Sequence, residues 1–153
     1  MDIVYQGEHT GWGTLGNLFT VLSFSGALLA ASAYAFAHQY RATAEEASWK
    51  RIARTGYYIH SGAVLGIIAV LFFLLFNHYF EFHYVWQHSN TEMPMQYILS
   101  CFWEGQEGSF LLWTIWHVVL SYFVMRRDNH REAPVMAVVA LAQVILATTL
   151  LGL

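Results

Sequence analysis

The sequence predicts an all-α fold: a polytopic transmembrane helical bundle of four spans, with its amino terminus outside. Three observations carry this reading. Of 153 residues, 57% are hydrophobic and only 11% charged, against about a quarter charged in a soluble domain. Four apolar runs stand out, at about 15–37, 56–76, 108–125 and 134–153. Each approaches the roughly 20 residues that cross about 30 Å of hydrocarbon at about 1.5 Å per residue. Aromatic residues reach 17%, with Trp and Tyr gathered near the ends of the runs, as in an interfacial belt. Alternation of period two is absent, which argues against a β-barrel.

Taken in order, residues 1–14 read as a polar, Gly-rich tail ending in an interfacial turn around Trp12 and Gly13. With Asp2 and Glu8 and no Lys or Arg, the tail is not a secretory signal peptide. The first run, Leu15–Ala37, carries no charge and is rich in small residues such as Gly16, Ser23, Gly26, Ala27, Ala30 and Ala33. Small residues let a neighbouring helix approach closely, so this span belongs inside a bundle. His38–Arg54 reads as a polar loop before the second run, Gly56–Phe76. The longest polar connection, Asn77–Ser109, holds His78, His83, His88, Glu81 and Glu92. Within it Pro94 opens a short amphipathic helix, whose expected apolar face is Tyr97, Ile98, Phe102 and Trp103, lying on the membrane surface. The third run, Phe110–Met125, reaches full length only if Gly108 and Ser109 are helical, and Pro134 opens the fourth. The chain is expected to form one membrane domain, 1–153, that is the front part of a longer protein or one product of a split gene, since Leu150–Leu153 ends in apolar sequence without an anchor.

Charge placement sets the expected orientation. All seven Lys and Arg fall in two loops, four between the first and second spans and three between the third and fourth. By the positive-inside rule those loops face the cytoplasm, and the tail and the 77–109 connection face outward. The chain is then a multi-pass protein of the inner (plasma) membrane. The net charge of −3 and the lack of a basic patch give no sign of nucleic-acid binding. The single cysteine, Cys101, excludes an internal disulfide and a C-x-x-C pair.

One stretch crowds carboxylates, glycines and tryptophans together: Trp103-Glu104-Gly105-Gln106-Glu107-Gly108-Ser109-Phe110-Leu111-Leu112-Trp113. The glycines permit a sharp turn or a close approach. On a helix, Trp103 and Glu107 would be neighbours, as would Glu104 and Glu107. Carboxylates at the mouth of a span need water or a partner. The plain alternative is the start of a span, with interfacial tryptophans and solvated acids. Nothing in the sequence resembles a catalytic triad, a phosphate loop or a nucleophile, and Glu104 and Glu107 are an acid–base pair by residue type alone.

The histidines divide by position. His78, His83 and His88 recur every five residues, which does not put them on one helix face, so no metal site is expected. His117 lies inside the third span on the face of Trp113, and a buried ionisable group there is a functional candidate. Its plain reading is a neutral imidazole bonded to Thr114 or Ser121. His60, read as one turn into the second span near the cytoplasmic side, can snorkel to the interface. Together His60 and His117 are the candidate ligands for a b-type haem between helices.

Tyr84-Val85, His88-Ser89-Asn90, Pro94, Tyr97 and Trp103-x-Gly105-Gln106-Glu107-Gly108-Ser109-x-Leu111-Leu112-Trp113 together resemble the amino-terminal region of the CcmF family of cytochrome c maturation proteins, members of the CcsA-type haem-handling superfamily. The sequence departs from that pattern at Glu104, where a small residue is expected, and at Phe110, where Leu is expected. The resemblance implies a membrane subunit or fragment of a haem lyase, which joins haem vinyl groups to the thiols of a C-x-x-C-H motif. It implies as partners other cytochrome c maturation subunits, a periplasmic haem chaperone and apocytochrome c. It makes His88, Asn90, Pro94, Tyr97, Trp103, Gly105, Gln106, Glu107, Gly108, Ser109 and Trp113 an outer-face structural and docking element, with His88 and Asn90 ordering the loop. Haem is the cofactor of the full-length family. This chain lacks that family's Trp-rich haem-handling segment and is expected to hold none alone. The competing expectations are an electron-transfer subunit binding b-type haem through His60 and His117, and a structural subunit without cofactor.

Topology is testable directly. In a Cys101→Ala background, a cysteine placed at Ser89 should react with an impermeant maleimide in intact cells. One placed at Ser48 should react only after permeabilisation. The reverse pattern would invert the assignment of the outer face.

Overall fold

The computed structural model describes residues 9–127 and 130–152. The tail residues 1–8 with Asp2 and Glu8, the loop residue Asp128 and the terminal Leu153 lie outside the described residues. The described chain folds as α1 (Thr10–Gln39), α2 (Glu46–Phe76), α3 (His83–His88), α4 (Met95–Glu104), α5 (Gln106–Arg127) and α6 (Glu132–Leu151). Helices α1, α2, α5 and α6 are long and apolar enough to cross a membrane, and no strand occurs among the described residues.

The long helices outrun the apolar segments that announce them. Helix α1 already begins at Thr10 and takes in Trp12 and Gly13, where the sequence suggests a turn. Helix α2 begins at Glu46, so most of the expected polar loop 38–54 is helical. The reason is that charge bars a residue from hydrocarbon but not from a helix. Glu46 and Lys50 pair at 2.7 Å one turn apart, which supports a helix end standing in water. Helix α5 starts at Gln106, so Gly108 and Ser109 are helical and the third span reaches full length. At the far end of α2, His78 takes the left-handed position after the helix with a φ of 55°, a place more often filled by glycine or asparagine.

Helices α1 and α2 form the closest contact of the bundle. A Cβ on Gly26 would lie 2.7 Å from the His60 nitrogen and 2.8 Å from the Gly56 carbonyl oxygen. A Cβ on Gly56 would lie 3.0 Å from the Ala30 nitrogen and 3.1 Å from the Gly26 oxygen. The two backbones therefore touch, and Ala27, Ala30, Ala33 and Ala37 on one helix bury against Ala53, Tyr57, Ala63 and Val64 on the other. In lipid, where burial from water drives nothing between spans, such close van der Waals packing holds helices together. Helix α6 packs on α1, and α5 joins through α6, α2 and α4.

Two apolar cores result. One joins Ala30, Ala33, Tyr34, Ala53, Tyr57, Met125, Met136 and Ala140. The other joins Val70, Leu74, Leu75, Val85, Ile98, Cys101, Phe102 and Leu111, with Trp12, Phe72 and Tyr84 packed on it. The first lies at the pole that carries all seven Lys and Arg, the second at an aromatic pole built from the start of α1, the end of α2, α3, α4 and the start of α5. His9 ties that pole together: its ring stacks on Tyr79 at 4.1 Å and its Nδ1 lies 2.8 Å from a Glu81 carboxylate oxygen.

At the basic pole an ion pair joins a buried carboxylate to a partly exposed guanidinium. Glu132 is fully buried and accepts from Arg54 Nε at 2.6 Å, from Arg54 Nη2 at 2.5 Å and from the Tyr34 hydroxyl at 3.1 Å. The fork of the guanidinium on the carboxylate fixes α2 against α6. Removing one member strands the other charge. Arg54→Met should therefore destabilise the solubilised bundle by about 3 kcal/mol, whereas Arg54→Met combined with Glu132→Met should recover most of that loss. Thermal unfolding in one detergent checks this, and a double variant less stable than the single would contradict it.

Candidate functional site

The Gly-rich stretch is the junction between α4 and α5. Pro94 stands just before α4 with φ −59°, where its ring and missing N–H cost nothing. Ile98, Cys101 and Phe102 share one face of α4 and are buried, with Phe102 stacked on Phe72 of α2 at 4.7 Å. Tyr97 and Trp103, expected on that face, are 55% and 49% exposed. A helix turns about 100° per residue, so the neighbours of Ile98 and Phe102 swing off the packed face.

Tyr84 closes this junction. Its hydroxyl lies 3.0 Å from the Cys101 carbonyl oxygen and 2.9 Å from that of Phe102, the carbonyls that α4 leaves unpaired at its end. A Cβ on Gly105 would fall 2.6 Å from the Tyr84 ring, and one on Gly108 would fall 2.7 Å from its hydroxyl and 1.5 Å from the Phe102 oxygen. Both glycines are buried. Gly105 is extended, with φ −80°, so close approach is what demands glycine here. Burial pushes the Tyr84 phenol up to about 12, against the Gly105 amide and with help from the Glu107 carboxylate. It therefore remains a neutral donor at any physiological pH.

The remaining outer-face candidates surround this clamp. His88 sits on Tyr84, ring to ring at 4.4 Å, with its Nδ1 2.9 Å from the Tyr84 carbonyl oxygen. Asn90 Oδ1 accepts from the Thr91 hydroxyl and the Glu92 amide, both at 3.3 Å. Ser109 Oγ donates to the Trp103 carbonyl oxygen at 3.1 Å. Gln106 and Glu107 are exposed in the first turn of α5, where a carboxylate suits the helix dipole. Glu107 makes no ion pair among the described residues. Trp113 is 59% exposed on the flank of α5. Glu104, without an evident role in the sequence, lines a groove with Glu92, Asn90, Tyr97 and Cys101. Burial pushes the Cys101 thiol up and Glu104 adds to the effect, so Cys101 is a packing residue rather than a reactive one.

Between the helices, Glu107 rims an apolar cavity of about 230 Å³ lined by Trp12, Gly16, Val70, Leu74, Tyr84 and Leu150. Pockets for drug-sized ligands run to about 300–1,000 Å³, so this one does not fit a porphyrin. Of the two candidate axial ligands, His60 does not fit one either. His60 lies midway along α2, not near its basic end, and is fully buried. Its Nδ1 is held 2.9 Å from the Ser23 carbonyl oxygen and 3.0 Å from Ser23 Oγ, at the contact where the α1 and α2 backbones touch. A haem edge cannot enter there without parting the two helices. Among the described residues, no group of three or more His, Cys, Asp or Glu could hold a metal ion. Expected partners for His117 also change: Ser121 bonds to the Tyr57 hydroxyl at 2.7 Å instead, and among the described residues His117 Nδ1 and Thr114 Oγ1 have no hydrogen-bond partner.

Three side chains central to this geometry have no role assigned in the sequence reading. Tyr84 enters it only as part of the resembling motif Tyr84-Val85. Glu132 reads as a loop charge, yet it is buried. Gln143 is the lone amide of an otherwise apolar run, and that isolation is a signal, since a polar group inside a span needs a partner.

No protein-family model matches the sequence. A 62-residue stretch is 39% identical to the cytochrome c-type biogenesis protein CcmF of Haemophilus influenzae, over 40% of this chain and 10% of that protein. The solved structure of the cytochrome c haem lyase CcmF superposes on 97% of this chain with a TM-score of 0.79 at 26% identity. The chain thus spans about a quarter of that protein, 24% of its length. In fold and in a 62-residue stretch of its sequence this chain is CcmF-like, with four helices long and apolar enough to cross a membrane.

Proposed function

We propose that the chain serves cytochrome c maturation in the inner membrane, as the part of a haem lyase that supports and docks its outer-face machinery. The observation that carries this reading is the likeness to CcmF over nearly the whole chain in structure and over 62 residues in sequence. The aromatic pole, free of Lys and Arg, is read as the outer, periplasmic face and the basic pole as the cytoplasmic one. Haem, when bound by the complete machinery, supplies the vinyl groups that become thioether-linked to apocytochrome c. The residues of this chain position rather than react. Tyr84, Gly105 and Gly108 lock α4 onto α5. Tyr97 and Trp103 on α4 and Trp113 on α5 are exposed, as are the acids Glu104 and Glu107. Flat aromatic faces and acids of this kind suit a docking surface for a maturation subunit, a periplasmic haem chaperone or apocytochrome c.

The test is haem-stained cytochrome c in cells that depend on this chain together with the rest of their maturation apparatus. Gly108→Val should lower covalent cytochrome c several-fold, because its side chain would occupy the place of the Phe102 carbonyl. Tyr84→Phe should lower it less, removing a hydrogen-bonding hydroxyl worth about 1 kcal/mol. Glu107→Gln separates docking from mere solvation. A solvated interfacial acid contributes about 1 kcal/mol or less, so normal cytochrome c in Glu107→Gln at normal protein abundance would remove Glu107 from the docking surface. Normal levels in Gly108→Val as well would sink the whole reading.

A further inference from the structure

The cavity rimmed by Glu107 is a crevice running down from the aromatic pole between the long helices. Its walls include Trp12, Gly16 and Thr20 of α1, Val70 and Leu74 of α2, and Leu150 of α6. The stretch from Trp12 to Thr20 is about 12 Å of helix at about 1.5 Å per residue. Spread over that length, about 230 Å³ leaves a cross-section of roughly 20 Å², the width of one extended hydrocarbon chain. The crevice is not enclosed, and the helices around it are long and apolar enough to cross a membrane. A chain can therefore enter it sideways from lipid.

Gly16 keeps this space open. At Gly26 and Gly56 the opposite backbone demands glycine, but a Cβ on Gly16 would lie 3.8 Å from Val70 Cγ1, an ordinary contact distance. Packing does not require glycine there, and its missing side chain leaves room. An apolar space that holds nothing loses the dispersion contacts of its lining. An apolar cavity of about 150 Å³ stays dry and takes benzene, so a larger one opening into hydrocarbon favours a hydrocarbon guest.

The mouth carries a different chemistry. On the walls, the Thr20 hydroxyl donates to the Gly16 carbonyl oxygen at 2.9 Å and the Tyr84 hydroxyl is taken up by the α4 carbonyls. Glu107 is exposed at the rim and makes no ion pair among the described residues. No Lys or Arg occurs before Arg41 or between Arg54 and Arg126, so this pole offers it neither. A carboxylate so placed repels a fatty acid or a headgroup carrying only negative charge. It favours a headgroup with an ammonium, whose hydrogens make charge-assisted bonds to a carboxylate.

We propose that the crevice binds one acyl chain of a phospholipid with a primary-amine headgroup, whose ammonium meets the Glu107 carboxylate at the mouth. Both parts of the ligand are then matched, the chain by the apolar walls and the ammonium by the acid. The bound lipid ties α1 and α2 to the first turn of α5, which carries Glu107. The inference holds independently of the role in cytochrome c maturation.

Native mass spectrometry tests it, on the whole chain released from nanodiscs holding equal amounts of dioleoyl phosphatidylethanolamine and dioleoyl phosphatidylglycerol. The wild type should keep one phosphatidylethanolamine, several-fold in excess over phosphatidylglycerol. Glu107→Gln should still keep a lipid but lose that preference, because the crevice is intact and the charge is gone. Gly16→Leu, whose side chain occupies the crevice, should lower the retained lipid several-fold at unchanged helix content by circular dichroism. Equal retention of the two lipids by the wild type overturns the proposal, as does a preference that survives Glu107→Gln. A wild type that keeps no lipid also overturns it, since another occupant then fills the crevice. So does unchanged retention in Gly16→Leu, which marks lipid that merely surrounds the bundle.

Discussion

The bundle depends on the backbone contact between α1 and α2 at Gly26 and Gly56. In water, two helices gain by hiding apolar surface, but in lipid that gain vanishes and contact distance decides. Gly26 sits against the His60 nitrogen and the Gly56 carbonyl, and Gly56 against Ala30. That contact positions His60, because its ring has Ser23 as partner only when the helices touch. It also aligns Tyr34 on α1 with Arg54 on α2, so that both meet Glu132 on α6. One close approach thus sets the register of three spans and the placement of Ser23, His60 and Glu132.

The aromatic pole follows a related logic with a different device. There an aromatic ring, rather than a second helix, fills the space that two glycines leave open. Tyr84 lies against Gly105 and Gly108 and meets the terminal carbonyls of α4. Because α4 is short, it would be marginal alone. It is held by this clamp, by its buried Ile98, Cys101 and Phe102, and by the Phe72 stack. The surface left outside is aromatic and acidic, which is what gives the docking proposal its chemistry.

The histidines show how packing redirects a residue type. His60 and His117 are the titratable groups that a haem between spans would use, and both lie mid-helix. Yet the closed contact around His60 removes the room a porphyrin needs. The likeness to CcmF extends over nearly the whole fold.

Much was legible from the sequence alone, for physical reasons that act locally. Hydrocarbon admits only long uncharged helices, so composition and run length determined an all-helical bundle of four spans. The clustering of Lys and Arg at one pole, the small-residue face of α1 and the glycines of the 103–113 stretch could likewise be read residue by residue. Helix ends were misjudged, since Glu46–Arg54 reads as loop when hydropathy stands in for conformation. Tertiary structure alone decided which polar groups meet. Tyr84 with Gly108, Glu132 with Arg54 and Gln143 with Thr114 are far apart along the chain or on different helices. Nothing local to any of them selects its partner. In a lipid interior each polar group must find a partner, but which one it finds depends on helix rotation and depth, and those are set by packing across the whole bundle.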